Sequence, residues 1–296
     1  MIRLAHLSDI HLGPLPPVRP GEMMNKRVTG FLNWQLSRRR SLRRDTLGGL
    51  VAHLKSMNPS LIAVSGDLVN LGVRAEFDMT AAWLATLGPP AQVAVIPGNH
   101  DAYVRGALDM ATRAWGDYMR GQAIGSGPFP YFRRFGDLAL VGCNSAVPRP
   151  FFVASGRFDI EQAKQLTSLL KILGERGLFR AVMIHHPPEQ AHARDPRRGL
   201  SGAELFRHAI AEAGAELVLH GHLHKSTIGT LTGPKGDVPV LGVASASAEA
   251  TRGEEPARYN LIEIERAGAG FSCSLTEYGY QRVGDGIVKR LHMRLS

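Results

Sequence analysis

Cysteine is nearly absent: Cys143 and Cys273 are the only two. Each sits in an apolar, strand-like run, which argues against a disulfide-stapled scaffold and reads as a reduced packing residue. No apolar run reaches the roughly 18 residues that a membrane-spanning helix needs. The opening residues, Met1-Ile2-Arg3-Leu4-Ala5-His6, lack the layout of a signal peptide. Acidic residues are missing from Lys26 to Arg44. There is no internal repeat and no low-complexity linker. What is present is a 296-residue chain that is 44% apolar, enough for a large core. We expect one α/β domain over 1–296, with a basic insertion near 14–45 and a C-terminal β extension near 254–296. The formal charge of +9 suits a phosphate-bearing partner, without separating nucleic acid, anionic lipid and phosphorylated metabolite. A cytoplasmic enzyme, free or peripheral to the membrane, fits these features.

The hydrophobic pattern alternates between strands and helices. Short apolar runs at 2–8, 61–65, 92–96, 180–184 and 216–219 read as buried strands. Helical patterns fall at 47–57, 76–87, 107–120, 159–173 and 201–213. Asp159 with Gln162, and Ser201 with Glu204, have the spacing of capping boxes. Gly214 stands where a helix-terminating glycine belongs. A hairpin is predicted over 131–144 around Gly136-Asp137. Further strands at 226–231, 238–243, 259–265 and 271–278 lack intervening helices, so the second half adds mostly antiparallel strands. Residues 279–296 are basic and weakly patterned.

Each predicted α/β strand ends in polar groups, which is where such folds present chemistry. The densest stretch is Pro97-Gly98-Asn99-His100-Asp101. Pro97 stops the strand and Gly98 lets the chain turn. Asp9-Ile10-His11 follows the first strand, and on an extended chain its two polar side chains share a side. Gly66-Asp67 follows the second. His185-His186-Pro187-Pro188 follows the fourth, and His220-Gly221-His222-Leu223-His224 the fifth. Gly221 permits close approach. The donor set is Asp9, His11, Asp67, Asn99, His185, His222 and His224. Seven oxygen and nitrogen donors exceed what one ion takes and suit two ions sharing a carboxylate. Mixed imidazole, carboxylate and amide donors favour Mn, Fe, Co or Zn over Ca or Mg. Tyr103 and Arg105 lie nearest this centre in sequence and are candidate substrate contacts.

The stretch 26–44 breaks the α/β rhythm. Phe31, Leu32, Trp34 and Leu36 are interleaved with Lys26, Arg27, Arg38, Arg39, Arg40, Arg43 and Arg44. Three readings fit: a helix with its apolar face on the core, a surface for membrane or acyl chains, and a grip on a nucleic-acid backbone.

Asp9-x-His11, Gly66-Asp67-x-x-Asn70, Gly98-Asn99-His100-Asp101, His185 and Gly221-His222-x-His224 resemble, in order, the motifs of the calcineurin-like metallophosphoesterase family. The resemblance covers about residues 1–245. It implies a four-layer αββα sandwich with two mixed sheets and the metals at the sheet edge. It also implies Asp9, His11 and His224 on one divalent ion, Asn99, His185 and His222 on another, and Asp67 between them. His185 is preferred to His186 because it directly follows the strand. The implied reaction is phosphoester hydrolysis by a metal-bridging hydroxide. His100 would serve the leaving group as a general acid, and Asp101 would either orient His100 or cap the turn.

His-Pro-Pro after the fourth motif resembles the phosphodiesterase branch, so hydrolysis of a phosphodiester or pyrophosphate ranks first. The basic, aromatic insertion resembles the equipment of relatives acting on lipid-linked substrates such as UDP-2,3-diacylglucosamine, with Arg38 and Arg39 on the diphosphate. Two other classes compete. A DNA-processing nuclease fits the charge, but the chain has little room for the capping domain such nucleases carry, and no obligatory nucleic acid is expected. A non-catalytic scaffold fits the fold but tends to lose donors, and here all seven remain.

Overall fold

In the computed structural model, the described residues are 1–23, 26–33, 44–123, 125, 127–249, 255–281 and 286–296. Strands β1 (Ile2–Leu7), β2 (Leu61–Val64) and β3 (Val93–Val95) run parallel and side by side. The next strands are β4 (Gln122–Ala123), β5 (Tyr131–Phe135), β6 (Leu138–Gly142), β7 (Gly156–Arg157), β8 (Phe179–Met183), β9 (Leu200–Ser201) and β10 (Leu217–His220). Last come β11 (Thr227–Gly233), β12 (Gly236–Gly242), β13 (Arg258–Ala267), β14 (Gly270–Tyr280) and β15 (Ile287–Arg294). One sheet has the order β15-β14-β13-β1-β2-β3, the other β11-β12-β10-β8-β6-β5-β4. Both mix parallel and antiparallel pairs.

Period-2 alternation sorts the strand residues into layers. Leu4, Leu61, Ala63 and Ala94 meet Leu140, Ala181, Met183, Leu217 and Leu219 between the sheets. Their neighbours Ala5, Leu7, Ile62, Val64 and Val95 face the other way, onto Leu50 and Leu54 of helix Arg44–Ser56, Phe77 and Leu84 of helix Arg74–Leu87, and Trp115 of helix Ala107–Trp115. On the far side, Val141, Val182 and Val218 pack on Leu166 and Leu170 of helix Ile160–Glu175 and on Phe206 and Ile210 of helix Ala203–Ala213. The result is the expected αββα order. Both cysteines are buried and free.

Local expectations fail in three places. Helix Ala107–Trp115 hands over to a 3-10 turn, Gly116–Met119. Ser201 belongs to β9, and Gly202, left-handed at φ 80°, precedes helix Ala203–Ala213 without a side-chain cap, so the Ser201–Glu204 box does not form. Asp159 does accept the Gln162 N–H at 2.9 Å. The Gln162 side chain, however, turns to both backbone groups of Asn144 and leaves that box half-made. At the C-terminus, residues 279–296 supply the end of β14 and the edge strand β15.

Candidate metal centre

The parallel strands of both sheets end at one edge, and every predicted donor lies just beyond a strand end there. Asp9 and His11 follow β1, Asp67 follows β2 and Asn99 follows β3, all from one sheet. From the other, His185 follows β8, and His222 and His224 follow β10. Backbone bonds zip these loops together: Asp9 N–H to Gly66 O (3.0 Å), His11 N–H to Asp67 O (2.9 Å) and Gly221 N–H to His185 O (3.1 Å).

The two Asp/His segments are not extended. Asp9, His11, Asp67, His222 and His224 all have φ between 39° and 71°. The expected same-side geometry of alternating residues is therefore wrong in its mechanism. Convergence comes from left-handed turns, which short polar side chains tolerate better than β-branched ones. His220 does not join the others; it stays in β10, fully buried, with Nε2 3.3 Å from Thr227 Oγ1.

Two donor groups result. In the first, His224 Nε2 lies 3.3 Å from Asp9 Oδ1 and 3.2 Å from His11 Nε2. In the second, Asn99 Oδ1 lies 3.2 Å from His185 Nε2 and 2.9 Å from His222 Nδ1. Asp67 Oδ2 stands between them, 3.8 Å from His11 Nε2 and 3.5 Å from His185 Nε2. Donors about 2.1 Å from an ion are themselves about 3.0–3.4 Å apart, so the spacings within each group are close to the edges of a coordination shell, with Asp67 slightly farther off at 3.5 and 3.8 Å.

Proton placement points the same way. His11 Nδ1 and His185 Nδ1 donate to the carbonyls of Val69 (3.1 Å) and Ser65 (2.7 Å). A carbonyl only accepts, so each ring keeps its Nε2 facing inward, toward carboxylates, where it can hold either a proton or a metal ion. Facing lone pairs and carboxylates repel unless cations lie between them. His222 Nε2 is buried with no hydrogen-bond partner among the described residues. The donor set thus fits two divalent ions.

The electrostatics of these side chains reflect the same crowding. Burial pushes His185 down, but Asp67 and then Asp9 outweigh it and lift the imidazole to about 9. Burial lowers His222 to about 3, helped by the neighbouring charge of His185. Burial disfavours the carboxylates of Asp9 and Asp67, yet His224 and His185 respectively draw them below the usual range.

The remaining predicted residues divide. His186 is occupied elsewhere: Nε2 donates to Ala154 O (2.9 Å) and Nδ1 meets Ser145 Oγ (2.8 Å). His100 reaches the edge of the first donor group, with its ring 4.8 Å from that of His11. Asp101 does not orient it. The Asp101 carboxylate accepts the backbone N–H groups of Asp67 (2.9 Å), Leu68 (2.9 Å), Val69 (3.2 Å) and Gly98 (2.8 Å), which makes it a clamp between two loops. Burial and the Asp67 charge raise this carboxyl to about 7, against the pull of those donors. His100 Nδ1 instead donates to the Asn70 carbonyl. Tyr103 stacks on His100 with centroids 5.4 Å apart, and Lys26 Nζ sits 4.1 Å from the Tyr103 centroid. Arg105 is exposed. Arg38 and Arg39 lie outside the described residues. Sequence reasoning misses Lys26, Arg27 and Glu76 as parts of this neighbourhood; their partners are mostly backbone groups, which carry no motif.

An αββα sandwich with two such donor groups at its shared edge defines the class: a metal-dependent phosphoesterase. A family model described as calcineurin-like phosphoesterase matches residues 2–226, and the chain belongs to that family. The chain is 28% identical over 222 residues to a probable cyclic nucleotide phosphodiesterase of Synechococcus sp., covering 73% of this chain and 76% of that one. Its fold is similar to a dimetal phosphatase from Danio rerio, with TM-score 0.66 and 14% identity, over 100% of this chain and 99% of that one. It is also similar to the NAD nucleotidase of Haemophilus influenzae, with TM-score 0.50 and 10% identity, over 99% of this chain and 49% of that one.

Proposed function

We propose that the protein hydrolyses phosphodiester bonds, and that Asp9, His11, Asp67, Asn99, His185, His222 and His224 hold the two divalent ions the chemistry requires. The observation that carries this reading is the pair of donor groups joined at Asp67. The similarity to the Synechococcus protein supports a diester over a monoester. When bound, such ions acidify water and offset phosphate charge. The protein's own share is positional. Asp67, buried between the two groups, fixes their separation. His100 presents Nε2 to the leaving oxygen, because Nδ1 is committed to Asn70 O. Water sheds one proton to solvent and adds to phosphorus, the bond to the leaving alcohol breaks, and His100 Nε2 supplies the alcohol's proton, to be reprotonated from solvent afterwards.

A metal-reconstituted screen tests this, comparing bis(p-nitrophenyl) phosphate, cyclic nucleotides, glycerophosphodiesters and a UDP-linked acyl sugar. Preference for a cyclic nucleotide or glycerophosphodiester supports the reading; turnover confined to monoesters added as controls contradicts it.

One observation favours the lipid-linked version. Phe151 and Phe152 are 52% and 82% exposed, in a segment whose Arg149 carbonyl accepts Lys26 Nζ. Two bare rings beside the basic insertion suit an acyl chain at an anionic surface. In flotation with phosphatidylglycerol vesicles, Phe151→Ser with Phe152→Ser would then release the protein. Unchanged flotation of that variant, or no flotation of the parent, argues against the lipid version.

A further inference from the structure

The acid in this reading is oriented through His100 Nδ1, which donates to the Asn70 carbonyl. What fixes that carbonyl therefore helps to fix the acid. In a trans peptide the N–H and C=O point in opposite directions. The Asn70 carbonyl shares its peptide plane with the Leu71 N–H, which donates to both oxygens of Glu76 (3.0 and 3.3 Å). Glu76 also accepts the N–H groups of Asn70 (2.7 Å) and Val73 (3.1 Å). Its side chain is fully buried.

The opposite side of the same loop is held by a cation. Arg27 Nε donates to Leu71 O (3.1 Å) and Nη2 to Gly72 O (2.5 Å). In the peptide between Gly72 and Val73, the N–H goes to Glu76 and the carbonyl to Arg27. The loop is thus gripped between a buried anion taking N–H groups and a cation, only 7% exposed, taking carbonyls. Charge-assisted bonds of this kind are about twice as strong as neutral ones. Arg27 opens the helix Arg27–Asn33 of the basic insertion. That helix meets the acid a second way: Gly30 lies against the Tyr103 hydroxyl and Lys26 over the Tyr103 ring, and Tyr103 stacks on His100.

We infer that Arg27 and Glu76 are positioning residues for His100, and that the first turn of the insertion is part of the acid's setting as well as surface. This rests on the reading of His100 as the acid. An acid matters most for a strongly basic leaving group and little for p-nitrophenolate. The test compares diphenyl phosphate with bis(p-nitrophenyl) phosphate in metal-loaded Arg27→Met, Arg27→Lys, Glu76→Gln and His100→Asn. For Arg27→Met, kcat on diphenyl phosphate should fall about tenfold, while the p-nitrophenyl ester loses less than about twofold and KM holds. Arg27→Lys should recover part of the loss, and Glu76→Gln should repeat its pattern. A merely structural role would lower both substrates together. Equal losses in Arg27→Met, or none, overturn the inference if His100→Asn shows the leaving-group dependence. If His100→Asn itself lacks that dependence, the acid assignment is overturned and this inference with it. Should Arg27→Met fail to fold, Glu76→Gln decides by the same ratio.

Discussion

Asp101 follows His100 in the chain but serves different neighbours. Its carboxylate closes four backbone N–H groups from two loops, at 2.8–3.2 Å. An amide in its place has one accepting oxygen, and its NH2 would face N–H groups. Asp101→Asn should therefore destabilise the fold by about 1–3 kcal/mol in urea unfolding; unaltered stability with lost activity would restore Asp101 to direct work on His100. Asp67 carries a different load. Its carboxylate lies between the donor groups, 3.8 Å from His11 Nε2 and 3.5 Å from His185 Nε2, so Asp67→Asn should weaken binding of both ions by more than about 100-fold in metal titration. Loss of only one ion would mean that Asp67 does not bridge.

Among the elements, the loops after the strands decide the site, and their glycines are steric requirements. A Cβ on Gly98 would collide with the Asp67 carboxylate, and one on Gly221 with Ser8 Oγ. Gly221→Ala should thus cost both stability and metal affinity, read from melting temperature and metal titration; a variant normal in both would show that this approach is slack. Residues with their own chemistry are legible in the sequence. Asp9, Asp67, Asn99, His185 and His222 stand at the ends of apolar runs, and a run plus a donor is a sequence pattern. Contacts made to peptide groups are not legible there. The Glu76 and Arg27 grip, the Asp101 clamp and the Gly202 start of helix Ala203–Ala213 leave no spacing to read. The left-handed turns are hidden too, because Asp and His occupy that region only when neighbouring bonds hold them there. Helix caps are half legible: Asp159→Ala should cost helix Ile160–Glu175 about 1 kcal/mol, as its 2.9 Å bond to Gln162 N–H indicates. A cost near zero in urea unfolding would discount that cap.

Across the whole molecule, two sheets bring donors separated by more than two hundred positions to one edge, and that edge is also where buried histidines gather. Burial holds His6 down to about 3, aided by His220, and holds His186 well below its ordinary value. The sign follows from proton uptake. Between about pH 6.5 and 3 the unfolded chain binds protons that the folded one refuses, so stability is full above 6.5 and drains as pH falls. Each such histidine adds a slope of up to about 1.4 kcal/mol per pH unit. Because Asp101 and His185, with raised values, work in the opposite direction, the test is the difference: metal-free parent should lose more stability between pH 7 and pH 5 than a His6→Asn variant, and an equal loss would contradict the neutral burial of His6. The described residues include no helix long and apolar enough to cross a membrane. The two-ion centre is read out by the number of ions held by the intact chain, measured by equilibrium dialysis against Mn or Zn with elemental analysis. Two donor groups joined at Asp67 require saturation at two per chain, falling to one or fewer in His222→Ala; a parent that saturates at one, or a His222→Ala variant that keeps two, would show that the donors do not form two sites.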